Sequence, residues 1–123
     1  MEEALVRVET DLGVRATLDY TRGVPPVVNE EGATRQLERA ARAVLGSAAV
    51  VDATQSAGGD DFSWYLEQVP GSYARLGVND PSDGREALDL HAGNFDVDER
   101  AIGVGIRVLV EAALDTLAGA GPP

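Results

Sequence analysis

The chain has 123 residues and a mass of 12.9 kDa, the size of one domain or part of one, which excludes a large multidomain enzyme. With 44% hydrophobic and 25% charged residues it has the composition of a folded chain, not a disordered one. Ten basic residues, all Arg, against 21 acidic ones give a net charge of −11, which disfavours nucleic acid and anionic membranes as partners, and the lack of cysteine excludes disulfides, thiolate zinc sites and cysteine nucleophiles.

Residues 2–12 fit helical spacing through Ala4, Leu5, Val8 and Leu12, and strand alternation through Val6, Val8, Thr10 and Leu12; Gly13 ends either. Val14, Ala16, Leu18 and Tyr20 alternate with Arg15, Thr17 and Asp19, which predicts a strand with one wet face, closed by the Arg22-Gly23-Val24-Pro25-Pro26 turn. Asn29 is the expected N-cap of a helix with Glu30 and Glu31 in its first turn and an apolar stripe of Ala33, Leu37, Ala40, Ala41 and Val44. Glu31–Arg35 and Glu38–Arg42 have the favoured four-residue spacing, and Gly46 is the expected stop.

A short strand is expected over residues 48–53, followed by the polar connector Thr54-Gln55-Ser56-Ala57-Gly58-Gly59. The next expected helix begins at Asp60 or Asp61 and carries Phe62, Tyr65, Leu66 and Val69; a strand over 72–78 and a polar loop over 79–90, with Pro81 and Gly84, follow. Asp96 and Glu99 have capping-box spacing for a last helix running through Ile102, Ile106, Leu109, Ala113 and Leu117 to Gly119, with residues 119–123 frayed. No apolar run approaches the roughly 18 to 20 residues of a membrane span, and the acidic start Met1-Glu2-Glu3-Ala4 lacks the basic flank of a secretory peptide, so the cytoplasm is the expected location.

His91, the only histidine, lies in the loop Leu90-His91-Ala92-Gly93-Asn94-Phe95-Asp96. That position suits a metal ligand or general base, but local sequence favours a histidine that merely completes a turn. Gly58-Gly59-Asp60-Asp61-Phe62 could present free backbone N–H groups to an anionic or peptide-like group, or could simply cap a helix; it lacks the lysine and spacing of a phosphate loop. Glu86, Asp89, Asp96, Asp98 and Glu99 flank His91, as solvated acids would in any chain this acidic. No G-x-S-x-G elbow supports a serine triad, and Trp64, Tyr65 and Tyr73 read as core or interface aromatics.

Four stretches in order, YTRGVPPVVN (20–29), GGDDFSWYLEQVPG (58–71), Leu76-Gly77 and LHAGNFDVDERA (90–101), together resemble the C-terminal part of the amidohydrolases and carboxypeptidases of metallopeptidase family twenty. The likeness is to the branch of hippurate, N-acyl-amino-acid and auxin-conjugate hydrolases. It implies an α/β (α+β) fold: a partial ferredoxin-like lid unit followed by a C-terminal strand and helices of a metallo-hydrolase catalytic domain. Residues 1–53 would be the later part of the lid or dimerisation domain, and 54–123 the C-terminal part of the catalytic domain.

By the same resemblance, His91 matches the family's last metal ligand, for zinc or manganese. Gly58, Gly59, Asp60 and Asp61 match a Gly-x-Glu-Asp-Phe segment beside the active site, and Asn29 closes a Pro-Pro-x-x-Asn turn, so these five are the expected substrate-binding residues. Asp60 stands where Glu is usual, and Ala92-Gly93 replaces the usual residues after the histidine. The family's Cys-Gly-His-Asp-x-His stretch, Glu-Glu pair and middle histidine would precede Met1, so no catalytic residue is assigned here. The implied substrates are N-acyl amino acids or small peptides, with no nucleic acid or membrane partner. The expected partners are an N-terminal half or complementing subunit and a second copy in a homodimer, and the chain alone is not expected to be a competent hydrolase. The alternative is a non-enzymatic dimerisation or small-molecule-binding module derived from the lid.

Overall fold

The computed structural model describes residues 2–80, 82, 84 and 88–119. Of the end expected to fray over 119–123, Gly119 closes a helix and 120–123, like Pro81 and Glu86, lie outside the described residues.

Among the described residues four helices form: α1 (Glu2–Leu12), α2 (Glu31–Leu45), the short α3 (Phe62–Leu66) and α4 (Arg100–Gly119), with a 3-10 turn at Ser47–Ala49. Among the described residues there is no strand, which overturns the expected α/β (α+β) class, the ferredoxin-like unit and the strands over 14–20, 48–53 and 72–78. Alternation states which side chains an extended segment could bury; a strand also needs a second backbone beside it. Here the segment after α3 is held by isolated backbone hydrogen bonds instead of a ladder. Glu30 N–H donates to Gly71 O (2.9 Å), and Asp98 N–H donates to Val78 O (2.8 Å).

The ambiguous start resolves as helix α1, which packs against none of the other helices. Helix α2 follows its sequence signals, with a shift at the cap. Glu30, not Asn29, is the N-cap: its carboxylate accepts from Gly32 N–H (2.8 Å) and Ala33 N–H (2.6 Å). Those backbone donors hold the Glu30 carboxyl below its ordinary value. Gly46 ends α2 at φ 81°, where an L side chain would be strained. Both expected ion pairs form on its wet face, Arg35 with Glu31 and Arg42 with Glu38.

Helix α2 packs along α4. Ala40 is buried between them, Gln36 Nε2 donates to Thr116 Oγ1 (2.5 Å) and Ala112 O (3.3 Å), and Arg39 pairs with Asp115 at 2.9 Å. Helix α4 starts four residues later than its expected cap at Asp96. Asp98 Oδ1 accepts from Arg100 N–H (2.9 Å) and its carbonyl from Ala101 N–H (2.9 Å), closing the first turn there. No helix is long and apolar enough to cross a membrane among the described residues.

The core these contacts enclose is small. Among the described residues Ala40 and Ala101 are its buried hydrophobic residues, with Ser63 and Pro25 buried beside other parts of the chain. The accessible surface is 10185 Å², against about 6,300 Å² for a compact monomer of this mass. The chain folds locally and leaves most of its large apolar side chains in water.

Candidate functional site

The glycine pair sits against the turn that precedes α2. A Cβ on Gly59 would lie 2.5 Å from Val24 Cγ2, so this backbone approaches its neighbour closer than any side chain allows. Gly59→Ala is therefore expected to destabilise the chain by about 1 kcal/mol or more, and Val24→Ala in the same chain to recover most of it. Denaturant titration of the single and double variants checks this; equal loss in both would contradict the contact. Gly58 N–H donates to Ser56 Oγ (3.0 Å), so it is engaged within its own turn.

Asp60 is half-buried and organises the start of α3. Its Oδ1 accepts from Phe62 N–H (2.8 Å), and its carbonyl accepts from Ser63 N–H (3.0 Å) and from the buried Ser63 hydroxyl (2.7 Å). Asp61 is the N-cap residue of α3 with an exposed side chain that makes no capping hydrogen bond. The capping expected of the pair thus falls to Asp60 alone.

Tyr73 joins the glycine segment to the start of α2. Asn29 grips its backbone in both directions, Nδ2 donating to Tyr73 O (2.9 Å) and Oδ1 accepting from Tyr73 N–H (2.8 Å). The Tyr73 ring lies 5.7 Å from that of Phe62, and a hydrogen bond with the Asp60 carboxylate pushes its phenol above the ordinary value. Two expected site residues, Asn29 and Asp60, are therefore brought together through a third that sequence reasoning placed in the core or an interface. The only signal for it was the strand-like alternation over 72–78.

His91 is exposed in a turn. Its backbone N–H donates to Asp89 Oδ1 (2.8 Å), Ala92 N–H donates to Asp89 O (2.9 Å), and Phe95 N–H to Ala92 O (3.0 Å). Among the described residues no hydrogen bond or ion pair joins His91 to Gly58, Gly59, Asp60, Asp61 or Asn29, and no three His, Cys, Asp or Glu side chains gather into a metal-binding group.

The ends of the His91 loop are pinned by residues the sequence did not single out together. Arg100, at the start of α4, pairs with both Asp80 and Asp98, its Nε lying 2.9 and 2.8 Å from the Asp98 oxygens. Asp80 also accepts from Ser82 N–H (2.8 Å) and Ser82 Oγ (2.6 Å). These two Ser82 bonds first, and then Arg100, bring the Asp80 carboxyl down from 3.8 to about 2. Arg100 holds Asp98 below its ordinary value as well.

The folded loop therefore binds the Asp80 proton more weakly than the unfolded chain does, and the clamp stabilises the loop fully above about pH 4 and loses its effect as pH falls towards 2. Amide hydrogen exchange over residues 88–98 is expected to quicken across that window, beyond its intrinsic pH dependence, and Asp80→Asn to show the quickened exchange already at pH 6. Identical protection in the two chains at pH 6 would remove the clamp from the account.

Comparison with known proteins gives one family and relatives whose named activities differ. The profile described as peptidase family M20/M25/M40 matches residues 4–115. A Rhodococcus jostii protein carrying the name glutamate–cysteine ligase 2-3 is 46% identical over 108 residues, 88% of this chain and 13% of its own length. A Synechocystis protein named as a hydrolase is 35% identical over 114 residues, 92% of this chain and 29% of that protein. The N-acetyl-L-cysteine deacetylase of Bacillus subtilis is 33% identical over 107 residues, 87% of this chain and 24% of that enzyme. The chain thus spans less than a third of the length of each of these relatives, and no solved structure matches it.

Proposed function

The chain belongs to peptidase family M20/M25/M40, and from that premise we propose that it supplies one metal ligand and part of the substrate surface of an amidohydrolase that cleaves the amide bond of N-acyl amino acids or small peptides. Relatives named as amidohydrolases and deacetylases support the hydrolase reading. The observation that carries it further is the placement of His91, exposed in a turn within a loop whose two ends are pinned by one arginine.

Family members are generally metal-dependent. The residues present do not make a whole site, since a hydrolytic ion needs about three protein ligands and an open position, and this chain brings a single imidazole and no thiolate. In the proposed enzyme the other ligands and the base Glu come from the remainder of the fold, and His91 adds one ligand for zinc or manganese. Gly58, Gly59, Asp60, Asp61 and Asn29 form the proposed substrate side. Asn29 and Asp60 act there by fixing the backbone and the phenol of Tyr73.

The test is a chimera in which this chain replaces the matched 107-residue stretch of the Bacillus subtilis deacetylase. The chain alone, loaded with zinc or manganese, is expected to release no measurable cysteine from N-acetyl-L-cysteine, and the chimera to release it. Robust turnover by the metal-loaded chain alone would refute the proposed division of ligands.

A further inference from the structure

Helix α4 is apolar on two separate faces. Ala101, Val104, Val108 and Ala112, buried or half-buried, recur every three or four residues on its inner face, where Gln36 reaches Ala112 and Arg39 reaches Asp115 from α2. Ile102, Ile106, Leu109, Val110 and Leu117 form a second stripe, turned roughly 140° away at 100° per residue. These five are 52 to 71% exposed. The polar part is a narrow strip carrying Arg100, Arg107 and Glu111. A helix apolar nearly all round belongs inside a larger fold.

We infer that the Ile102–Leu117 stripe of α4 is a docking face for the remaining part of an M20-type hydrolase, on the same or another polypeptide. The inference rests on the family reading for the identity of the partner, and not on any role of His91. Three observations select this occupant. The accessible surface exceeds that of a compact monomer of this mass by about 3,900 Å², more than the roughly 800 Å² per partner of a standard interface and beyond most obligate dimers. A second copy would bring two chains of net charge −11 together. The matching hydrolase relatives carry this segment as 24 to 29% of a longer polypeptide, so over two thirds of each is chain available to cover it.

The test is Ile106→Asp with Leu109→Asp, made in the isolated chain and in the deacetylase chimera, with thermal unfolding and light-scattering mass as readouts. In the isolated chain both side chains already face water, so helicity and midpoint are expected to stay within about 2 °C of wild type and the mass to remain that of a monomer. In the chimera the same substitutions are expected to lower the midpoint by 10 °C or more, or to make it insoluble, whether or not it binds metal. A chimera whose stability ignores them, or a wild-type chimera that does not fold, overturns the inference. An isolated chain that is a dimer, and becomes a monomer on substitution, overturns it in favour of a second copy. Loss of activity with unchanged stability would count against the docking face while leaving the amidohydrolase reading standing.

Discussion

His91→Ala in the deacetylase chimera is expected to lower turnover of N-acetyl-L-cysteine by at least about 100-fold, since losing only an outer partner of a metal ligand already costs 10- to 100-fold in affinity or activity. Stability is expected to hold, because the His91 side chain is exposed and its turn is closed by backbone donors to Asp89. The pairing of these two results separates a ligand from a turn residue. A histidine that merely shaped the turn would leave turnover within a few fold of wild type once the chimera had folded. Asp89→Ala provides the contrast: it removes the acceptor of the His91 N–H and loosens the turn, so its loss of turnover is expected to be smaller than that of His91→Ala.

The second large effect is on folding. Ala40 is 2% exposed, on the side of α2 that meets α4, and among the described residues there is almost no other core to absorb a change. Ala40→Asp places a carboxylate in the closed contact between α2 and α4, at a cost of several kcal/mol, and Asp is also a poorer helix former than Ala. The expected result is separation of α2 from α4, seen as loss of cooperative thermal unfolding and reduced helical circular dichroism. Removing the Arg39–Asp115 pair at the rim of the same contact, with both side chains well exposed, is expected to do far less. Comparable damage from both would mean that charge, not the close approach at Ala40, holds the helices together.

Helix α2 was readable in the sequence because stripe, acidic first turn, ion-pair spacing and terminal glycine all agree on one answer. Its cap was misplaced by one residue because Asn29 and Glu30 both suit the position; the longer Glu30 side chain reaches the two N–H groups, which leaves Asn29 to hold Tyr73. The start of α4 moved for a similar reason, Asp98 accepting from the first-turn Arg100 N–H.

The strands failed on different grounds. Val14, Leu18 and Tyr20 do alternate, yet each remains about half exposed, because nothing in the described chain lies beside them to complete a ladder. Of the candidate site, the loop around His91 and the glycine segment were legible from residue type alone. The Asp80–Arg100–Asp98 clamp was not, since Asp80 and Arg100 are 20 residues apart with no periodicity linking them, and neither was the Asn29–Tyr73 grip across 44 residues.

Zinc retained after exhaustive dialysis tests the central claim most directly, measured for the isolated chain, the chimera and the chimera carrying His91→Ala. Zinc held by the wild-type chimera, reduced on loss of the imidazole and absent from the isolated chain, is the predicted pattern. Equal zinc in the two chimeras would contradict it.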